Sequence, residues 1–231
     1  MNFRNILLSQ IKDSVLTDLS GSMDEVSLGR SQVLYDVGDR PAHLYFPGAA
    51  VISVVTVMRN GQAVETSTVG FEGAPGLLTV LSNRSSSSRV FTQVGGSAIR
   101  IPAGLVRAAA DKRPEFMRLL LRFADGNTAH AELSAACNAL HTVTSRLARW
   151  LLLTQDRIGA ETIPLTHEFL AIMLGVQRTS VTQASLRLKQ AGLVQYRRGN
   201  IRILDRAGLL AAACECYAAG RAISESLTRS E

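Results

Sequence analysis

Cysteines and long apolar runs are scarce in this sequence, and their scarcity excludes several classes of protein. Only 3 of the 231 residues are cysteine, an odd and widely separated set at Cys137, Cys214 and Cys216, so we predict no disulfide framework. No apolar run reaches the ~18 residues that a transmembrane helix needs. Residues 1–8 are too short and too polar for a secretory signal. We therefore expect a cytoplasmic protein that does not bind membranes.

Signatures of metal, cofactor and enzyme sites are also missing. The 4 histidines show no metal-ligand spacing. Cys214 and Cys216 are two residues apart on an expected helix, so their thiols should point in nearly opposite directions. An iron–sulfur cluster requires four thiolates, more than the chain has. Haem needs only one histidine with one cysteine, but nothing singles out such a pair. We expect no metal and no cofactor.

An enzyme that clamps its substrate with basic residues would need a nucleophile, a base and an orienting group in one cluster. The sequence contains no nucleophile-elbow motif, no Walker A loop and no His-Glu-x-x-His motif. We therefore predict that the chain is not an enzyme.

The positive charge of the chain is concentrated in its C-terminal third. The net charge is +6 and the isoelectric point is about 9.7. Residues 1–143 hold 13 basic and 12 acidic side chains, whereas residues 144–231 hold 12 and 7. Within residues 176–206 there are seven basic side chains and one acidic one. A basic surface on one module is typical of a protein that binds a polyanion.

Residues 166–204 have the pattern of two short helices that meet at a glycine and are followed by a hairpin. Thr166 is placed to cap the first helix by accepting a hydrogen bond from a first-turn N–H group. Gly175 supplies the turn residue that tolerates a positive φ, and Val181 is an apolar residue placed to dock the second helix. This spacing predicts a helix-turn-helix.

The second helix should span residues 178–191, with Gly192 in the left-handed position that ends many helices. Residues 194–197 and 201–203 alternate around a Gly-Asn turn, which predicts the hairpin of a wing. Their polar and basic side chains are suited to base edges and phosphates. The predicted DNA-binding residues are Arg178, Thr179, Ser180, Thr182, Gln183, Arg187, Arg197, Arg198 and Arg202. The alternatives are a winged helix that contacts protein and a helical hairpin whose arginine-rich face is merely solvated.

The N-terminal half is rich in strand-like segments. These segments lie at residues 33–37, 44–46, 51–58, 63–69, 89–94 and 98–101. Asn60-Gly61 between two of them is a strong hairpin signal, because both residues tolerate a positive φ. Short strands at this density predict a small antiparallel barrel or roll. Helical patterns follow after Pro102.

A long helix is predicted to begin at Pro114, with an apolar stripe at Phe116, Leu119, Leu120 and Phe123. The stripe has two interpretations. It packs within the chain against the roll, or it pairs with its copy in a second subunit. We favour pairing, because dimers of winged helices span two half-sites roughly 34 Å apart on one face of a DNA duplex.

The order of roll, long helix and winged helix resembles the Crp/Fnr family of bacterial transcription regulators. In the roll, Gly38-Asp39 and the Leu-Tyr-Phe-Pro-Gly of residues 44–48 are similar to that family's early-strand signature. Residues 174–181, Leu-Gly-Val-Gln-Arg-Thr-Ser-Val, match its turn and the start of its recognition helix. The resemblance implies an α+β fold with a cyclic-nucleotide-binding-like antiparallel β-roll sensor and its N-terminal helix (1–112), a dimerisation helix (113–142) and a winged helix-turn-helix domain (143–231).

The resemblance also implies a homodimer that binds a pseudo-palindromic promoter site on double-stranded DNA and contacts RNA polymerase. Recognition helices of the family often carry a Glu and an Arg four residues apart, where this chain has Thr179 and Gln183. Glutamine reads adenine well and arginine reads guanine well. We therefore expect an operator that differs from the family's usual sequence.

The sensor half departs from the cyclic-nucleotide binders of the family. Those proteins hold ribose and cyclic phosphate with a Gly-Glu-Leu turn and an Arg-Ser pair. Aligned on Gly76, this chain has Ala74 in place of the carboxylate. Arg84-Ser85 is one candidate for the phosphate pair, whereas an alignment on the following strand puts Ser86-Ser87 there.

Glu72, Arg84 and Ser85 are therefore the candidate effector-binding residues. We expect a sensor that is degenerate or that recognises an unknown small-molecule effector, because a cyclic phosphate needs a cation or a nest of N–H donors. The alternative is a transcription activator gated by a cyclic nucleotide.

Overall fold

Two antiparallel sheets form a roll in the N-terminal half of the computed structural model, which describes residues 3–197 and 199–228. The strands are β1 (Asp24–Leu28), β2 (Val33–Tyr35), β3 (His43–Pro47), β4 (Val51–Val57), β5 (Ala63–Val69), β6 (Arg89–Val94) and β7 (Gly96–Pro102). One sheet has the order β1-β7-β3 and the other has the order β2-β6-β4-β5. Leu28, Tyr35 and Ile52 are among the buried side chains between them. The predicted roll is confirmed.

The hairpin signal at Asn60-Gly61 is confirmed, because β4 and β5 pair in antiparallel register across a turn in which Gly61 has φ +82°. Strand β1 was not predicted. Four of its five residues are not buried, so it lacks the apolar alternation that marks a half-buried strand.

Five helices cover or extend the roll. They are α1 (Ile6–Ser9), α2 (Asp13–Leu19), α3 (Leu77–Leu81), α4 (Ala103–Lys112) and α5 (Pro114–Leu140). A core of buried side chains joins α1, α2, α4 and α5 to strands β3 and β7. Pro114 stands in the first turn of the 27-residue α5, where its missing N–H costs no helical hydrogen bond.

The apolar stripe of α5 packs within the chain. Phe116, Leu120 and Phe123 are at most 2% exposed and contact the core formed with α1 and α2. Our favoured interpretation, in which this stripe pairs two subunits, was therefore wrong. Helices α1, α3 and α4 pack against α5 and cover the stripe, which the periodicity of α5 alone does not specify. The exposed apolar residues of α5 lie elsewhere on it and include Leu121 and Leu140.

The C-terminal part contains the remaining helices and one small sheet. The helices are α6 (Val143–Ile158), α7 (His167–Leu174), α8 (Arg178–Gln190), α9 (Arg206–Ala212) and α10 (Cys216–Ser226). The sheet contains β8 (Thr162–Ile163), β9 (Val194–Arg197) and β10 (Asn200–Ile203), in the order β8-β10-β9. The helix-turn-helix and the wing hairpin are thus present, and β8 adds a third strand. Among the described residues, no helix is both long and apolar enough to cross a membrane.

Candidate nucleic-acid interface

The turn between α7 and α8 has the local structure that its sequence predicts. Thr166 caps α7, because its hydroxyl accepts a hydrogen bond from the N–H of Phe169 at 3.2 Å. Gly175 ends α7 with φ +60°. A Cβ atom at Gly175 would lie 2.7 Å from Cγ2 of Val64 on β5. Glycine is therefore needed both for the turn and for close contact with the roll.

Helix α8 has one buried face and one exposed face. Val181, Ala184 and Leu188 are buried against α6, α7 and the wing sheet. Five of the predicted DNA-binding side chains on this helix are exposed and Ser180 is partly buried. The five exposed residues are Arg178, Thr179, Thr182, Gln183 and Arg187. Helix α8 carries no acidic residue, so its outer face presents cations and hydrogen-bonding groups to a partner, together with the apolar Leu186, which is 51% exposed.

The exposed side chains of α8 differ in whether they already form hydrogen bonds within the chain. The Thr182 hydroxyl donates to the carbonyl oxygen of Arg178 at 3.0 Å and lies 3.3 Å from Nδ1 of His167. Partial burial, followed by the charge of Arg178, lowers the pKa of His167, so this ring is neutral at pH 7. Gln183 and Arg187 have no hydrogen-bond partner among the described residues. Their polar groups are available to a ligand.

The wing presents Arg197 and Arg202 to solvent, on β9 and β10. Arg202 forms an ion pair with Glu161 at 3.1 Å, and both side chains are more than half exposed. An exposed pair contributes little to stability, so DNA phosphates could compete for Arg202. Arg198, the third predicted wing contact, lies outside the described residues. The ring of Tyr196 lies edge-on to His167, with centroids 5.0 Å apart, and connects the wing to α7.

Arg146 connects the helix-turn-helix to the long helix α5. Its guanidinium, buried on α6, donates to the carbonyl oxygen of Leu174, the last residue of α7, and to Oδ1 of Asn138 on α5 at 2.6 Å. A helix leaves its last carbonyl groups without intrahelical donors. Arg146 supplies the missing hydrogen-bond donor for one of these carbonyl groups and so fixes the end of α7 relative to α5 and α6.

The helix-turn-helix also contacts the roll through a buried polar network. Glu65 on β5 accepts hydrogen bonds from Ser53 at 2.6 Å, from Trp150 Nε1 on α6 at 3.0 Å and from Gln93 at 3.3 Å. Burial raises the pKa of Glu65, although the hydrogen bonds from Ser53 and Trp150 act in the opposite direction. Beside this network the ring of Phe91 lies edge-on to Phe169 of α7, at a centroid distance of 6.0 Å. The roll and the DNA-binding domain therefore share one interface.

The candidate effector residue Glu72 is bound within the chain. Its Oε1 accepts from Arg157 of α6 at 2.7 and 2.8 Å, and both side chains are about a tenth exposed. Burial raises the pKa of Glu72, but the charge of Arg157 and the hydrogen bonds from Arg157 and from the backbone together outweigh burial, so the pKa lies below its usual value. Arg84 and Ser85 are exposed after α3. The structure thus gives Glu72 a partner other than an effector.

The predicted orientation of the two C-terminal cysteines was wrong. Cys214 lies in the connection between α9 and α10, whereas Cys216 is the first residue of α10. The two thiols therefore do not follow one helix, and they converge with Cys137 and His141. The spacing of Cys137 and His141, four residues apart at the end of a helix, was a signal for this cluster that the sequence analysis did not use.

Residues 145–212 match the model of the Crp-like helix-turn-helix domain. This part of the chain is similar to that domain family. The predicted resemblance to Crp/Fnr regulators is confirmed, because residues 145–212 match the Crp-like helix-turn-helix domain and the chain has the Crp/Fnr fold. The family model and the fold are those of transcription regulators and not of enzymes. A search of curated protein sequences finds no match.

Solved structures with the Crp/Fnr fold match most of the chain. A putative transcriptional regulator of the Crp/Fnr family from Eubacterium rectale has a TM-score of 0.71 at 15% identity, with 97% of this chain and 98% of that one covered. FixK2 from Bradyrhizobium japonicum also has a TM-score of 0.71, at 18% identity, with 83% and 98% covered. TTHB099, a CRP-family regulator from Thermus thermophilus, has a TM-score of 0.69 at 19% identity, with 81% and 96% covered.

Proposed function

We propose that the chain is a sequence-specific transcription regulator that binds a pseudo-palindromic promoter site as a homodimer. The exposed, acid-free face of α8 beside the basic wing supports this proposal most directly. A helix with such a face fits the major groove, and a wing fits the adjacent sugar-phosphate backbone. We also propose that the bound dimer contacts RNA polymerase, which transcription in vitro from an operator-bearing template would report.

The exposed side of α5 is the surface we propose for dimerisation. Leu121, Thr128 and Ala135 follow one another at intervals of seven residues, and all three are exposed. Leu140 at the end of the helix is 78% exposed. A seven-residue repeat keeps one seam of a helix facing a partner helix. Pairing along this seam would relate two copies of α8 by a twofold axis.

Gln183→Ala and Arg197→Ala should weaken DNA binding in different ways. Gln183 has a free amide on the outer face of α8, so its loss should cost about 1–3 kcal/mol and relax the preference at one base pair of each half-site. Arg197 should contact phosphate, so its loss should weaken binding to all DNA sequences alike. It should also reduce the slope of log affinity against log salt concentration by about 1 per contact. Fluorescence anisotropy with an operator from genomic footprinting, its single-base variants and a salt series measures both effects.

Gln190→Ala is the matched control for this comparison, because Gln190 is an exposed amide at the far end of α8. It should leave the base preference unchanged, since the N-terminal residues of a recognition helix contact the bases. Identical behaviour of the Gln183 and Arg197 variants would contradict the assignment of base and phosphate contacts. Binding that is indifferent to both sequence and salt would contradict the proposed function itself.

We propose that the sensor is divergent and does not respond to cAMP. Glu72 is bonded to Arg157. The buried Tyr35 ring occupies the space beside Gly76, where an added Cβ atom would collide with its hydroxyl. Isothermal titration of the chain with cAMP and with cGMP should give no binding heat. Micromolar binding that also tightens operator affinity would instead establish the cyclic-nucleotide-gated activator, and operator DNA would then tighten nucleotide binding by the same factor.

A further inference from the structure

Three thiols and one imidazole meet where the end of α5 contacts the junction of α9 and α10. Cys137 lies in the last turn of α5 and His141 follows its end, whereas Cys214 and Cys216 flank the start of α10. All four ligand atoms lie within 4.8 Å of one another. Sγ of Cys137 is 3.5 Å from Sγ of Cys214, and Sγ of Cys216 is 3.6 Å from Nδ1 of His141.

Two of these separations fit the coordination shell of a single ion. Zinc binds thiolate sulfur at about 2.3 Å and imidazole nitrogen at about 2.0–2.1 Å, in a tetrahedron whose ligand atoms are therefore roughly 3.4–3.8 Å apart. The Cys137–Cys214 contact of 3.5 Å and the Cys216–His141 contact of 3.6 Å both lie in that range. An iron–sulfur cluster spreads its four protein ligands over two or more iron atoms, so the whole set would span more than the 4.8 Å that encloses these four atoms.

The surroundings of the cluster also suit a metal. Nε2 of His141 lies 3.1 Å from a carboxylate oxygen of Glu215. A carboxylate only accepts hydrogen bonds, so Nε2 carries the proton and Nδ1 faces the thiols with its lone pair. Histidines that bind metals usually donate their other N–H in this way. Arg149, buried on α6, places a positive charge in the field of all three thiols, which balances a set of three thiolates around one divalent ion.

We propose that Cys137, His141, Cys214 and Cys216 bind one divalent ion of the zinc class. Four protein ligands make a closed set, which is typical of a structural site and not of a catalytic one. The ion would join α5 to the start of α10 and so hold the C-terminal helices against the long helix. Cys214 and Cys216 lie beyond residue 212, where the match to the helix-turn-helix model ends. The site therefore goes beyond what the DNA-binding domain itself accounts for.

Titration with Co²⁺ tests this proposal directly. The full chain, purified with a reducing agent and stripped with a chelator, should bind one equivalent of Co²⁺. It should show the visible bands of tetrahedral cobalt and the near-ultraviolet charge transfer of thiolate ligands. One equivalent of Zn²⁺ should abolish this spectrum and raise the midpoint of thermal unfolding, because metal that binds only the folded chain stabilises it. The proposal would be overturned by an octahedral cobalt spectrum or by the absence of Co²⁺ binding. It would also be overturned by a disulfide between Cys137 and Cys214 that persists in the presence of the reducing agent.

Variants locate the site without depending on one substitution. Cys216→Ser should weaken Co²⁺ binding and lower the intensity of the thiolate bands, because only two of the three thiolates remain. Glu215→Gln should weaken zinc binding by about 10- to 100-fold, because second-shell partners orient the ligand histidine. Glu215 has an 81% exposed side chain, so this variant should fold normally. His43→Ala, which changes a histidine on the roll, is the matched control and should bind as the unaltered chain does. If Cys216→Ser and Glu215→Gln both bind Co²⁺ and Zn²⁺ as tightly as the unaltered chain does, the proposed site is refuted. None of these measurements depends on DNA binding.

Discussion

Arg157→Ala is expected to lower the free energy of unfolding by about 3–5 kcal/mol, because it leaves a carboxylate buried without its partner. Arg157 holds Glu72 through two contacts of 2.7 and 2.8 Å and donates to the carbonyl oxygen of Thr68 at 3.0 Å. The pair connects the end of β5 in the roll to α6, the first helix of the C-terminal part. Urea denaturation of the variant and of the unaltered chain measures the loss.

The double variant Glu72→Leu with Arg157→Leu is the control for this prediction. Replacing both members of a buried ion pair with apolar residues is often neutral, so the double variant should recover most of the stability that Arg157→Ala loses. A double variant as unstable as the single one would show that the packing of the Arg157 stem matters more than its charge.

The stability gap between Arg157→Ala and the unaltered chain should also depend on pH. Glu72 has a lowered pKa in the folded chain, so its contribution is fully present above the pKa of the unfolded carboxyl. That contribution is lost as the pH falls through the lower, folded value. Protonation also removes the unpaired charge of the variant. The gap measured by denaturation should therefore shrink in acid, and a gap that is constant between neutral and acidic pH would contradict the role of the charge.

Phe123→Ala should destabilise the fold by about 3–5 kcal/mol without changing the oligomeric state at concentrations where the chain stays folded. The Phe123 ring is 1% exposed and belongs to the core between α5 and the N-terminal helices. Its loss creates a cavity in each chain and leaves the exposed side of α5 intact. Denaturation measures the stability, and sedimentation velocity measures the oligomeric state.

Leu121→Asp is the complement of this variant on the same helix. Leu121 is 46% exposed on the seam that we propose for dimerisation. A carboxylate there should shift the population towards monomer and weaken operator binding, while the stability of the monomer changes by only about 0.5 kcal/mol. If Phe123→Ala dissociates the dimer without lowering the free energy of unfolding, then the apolar stripe of α5 forms the dimer interface and the exposed seam does not. A monomeric unaltered chain would contradict the proposed homodimer.

Local chemistry in the sequence predicted the parts of the interface that depend on neighbours along the chain. The Thr166 cap, the left-handed Gly175 and the turn at Asn60-Gly61 each involve residues within a few positions of one another, and all three are present. The exposed face of α8 followed in the same way, because the residues that pack inward at helical spacing leave the others outside.

Contacts between distant segments were decided only by the tertiary structure. The stripe at Phe116 and Phe123 had the periodicity of a packed helix face, but periodicity does not say which partner covers the face. The ion pair of Glu72 with Arg157 joins residues 85 positions apart, and the contact between the thiols of Cys137 and Cys214 joins residues 77 positions apart. No local pattern encodes such a meeting. The sequence by itself determined the DNA-binding module, since the signals of that module are caps, turns and charge. The roll interface, the covered side of α5 and the Cys-His cluster required the folded chain, since long-range packing brings their residues together.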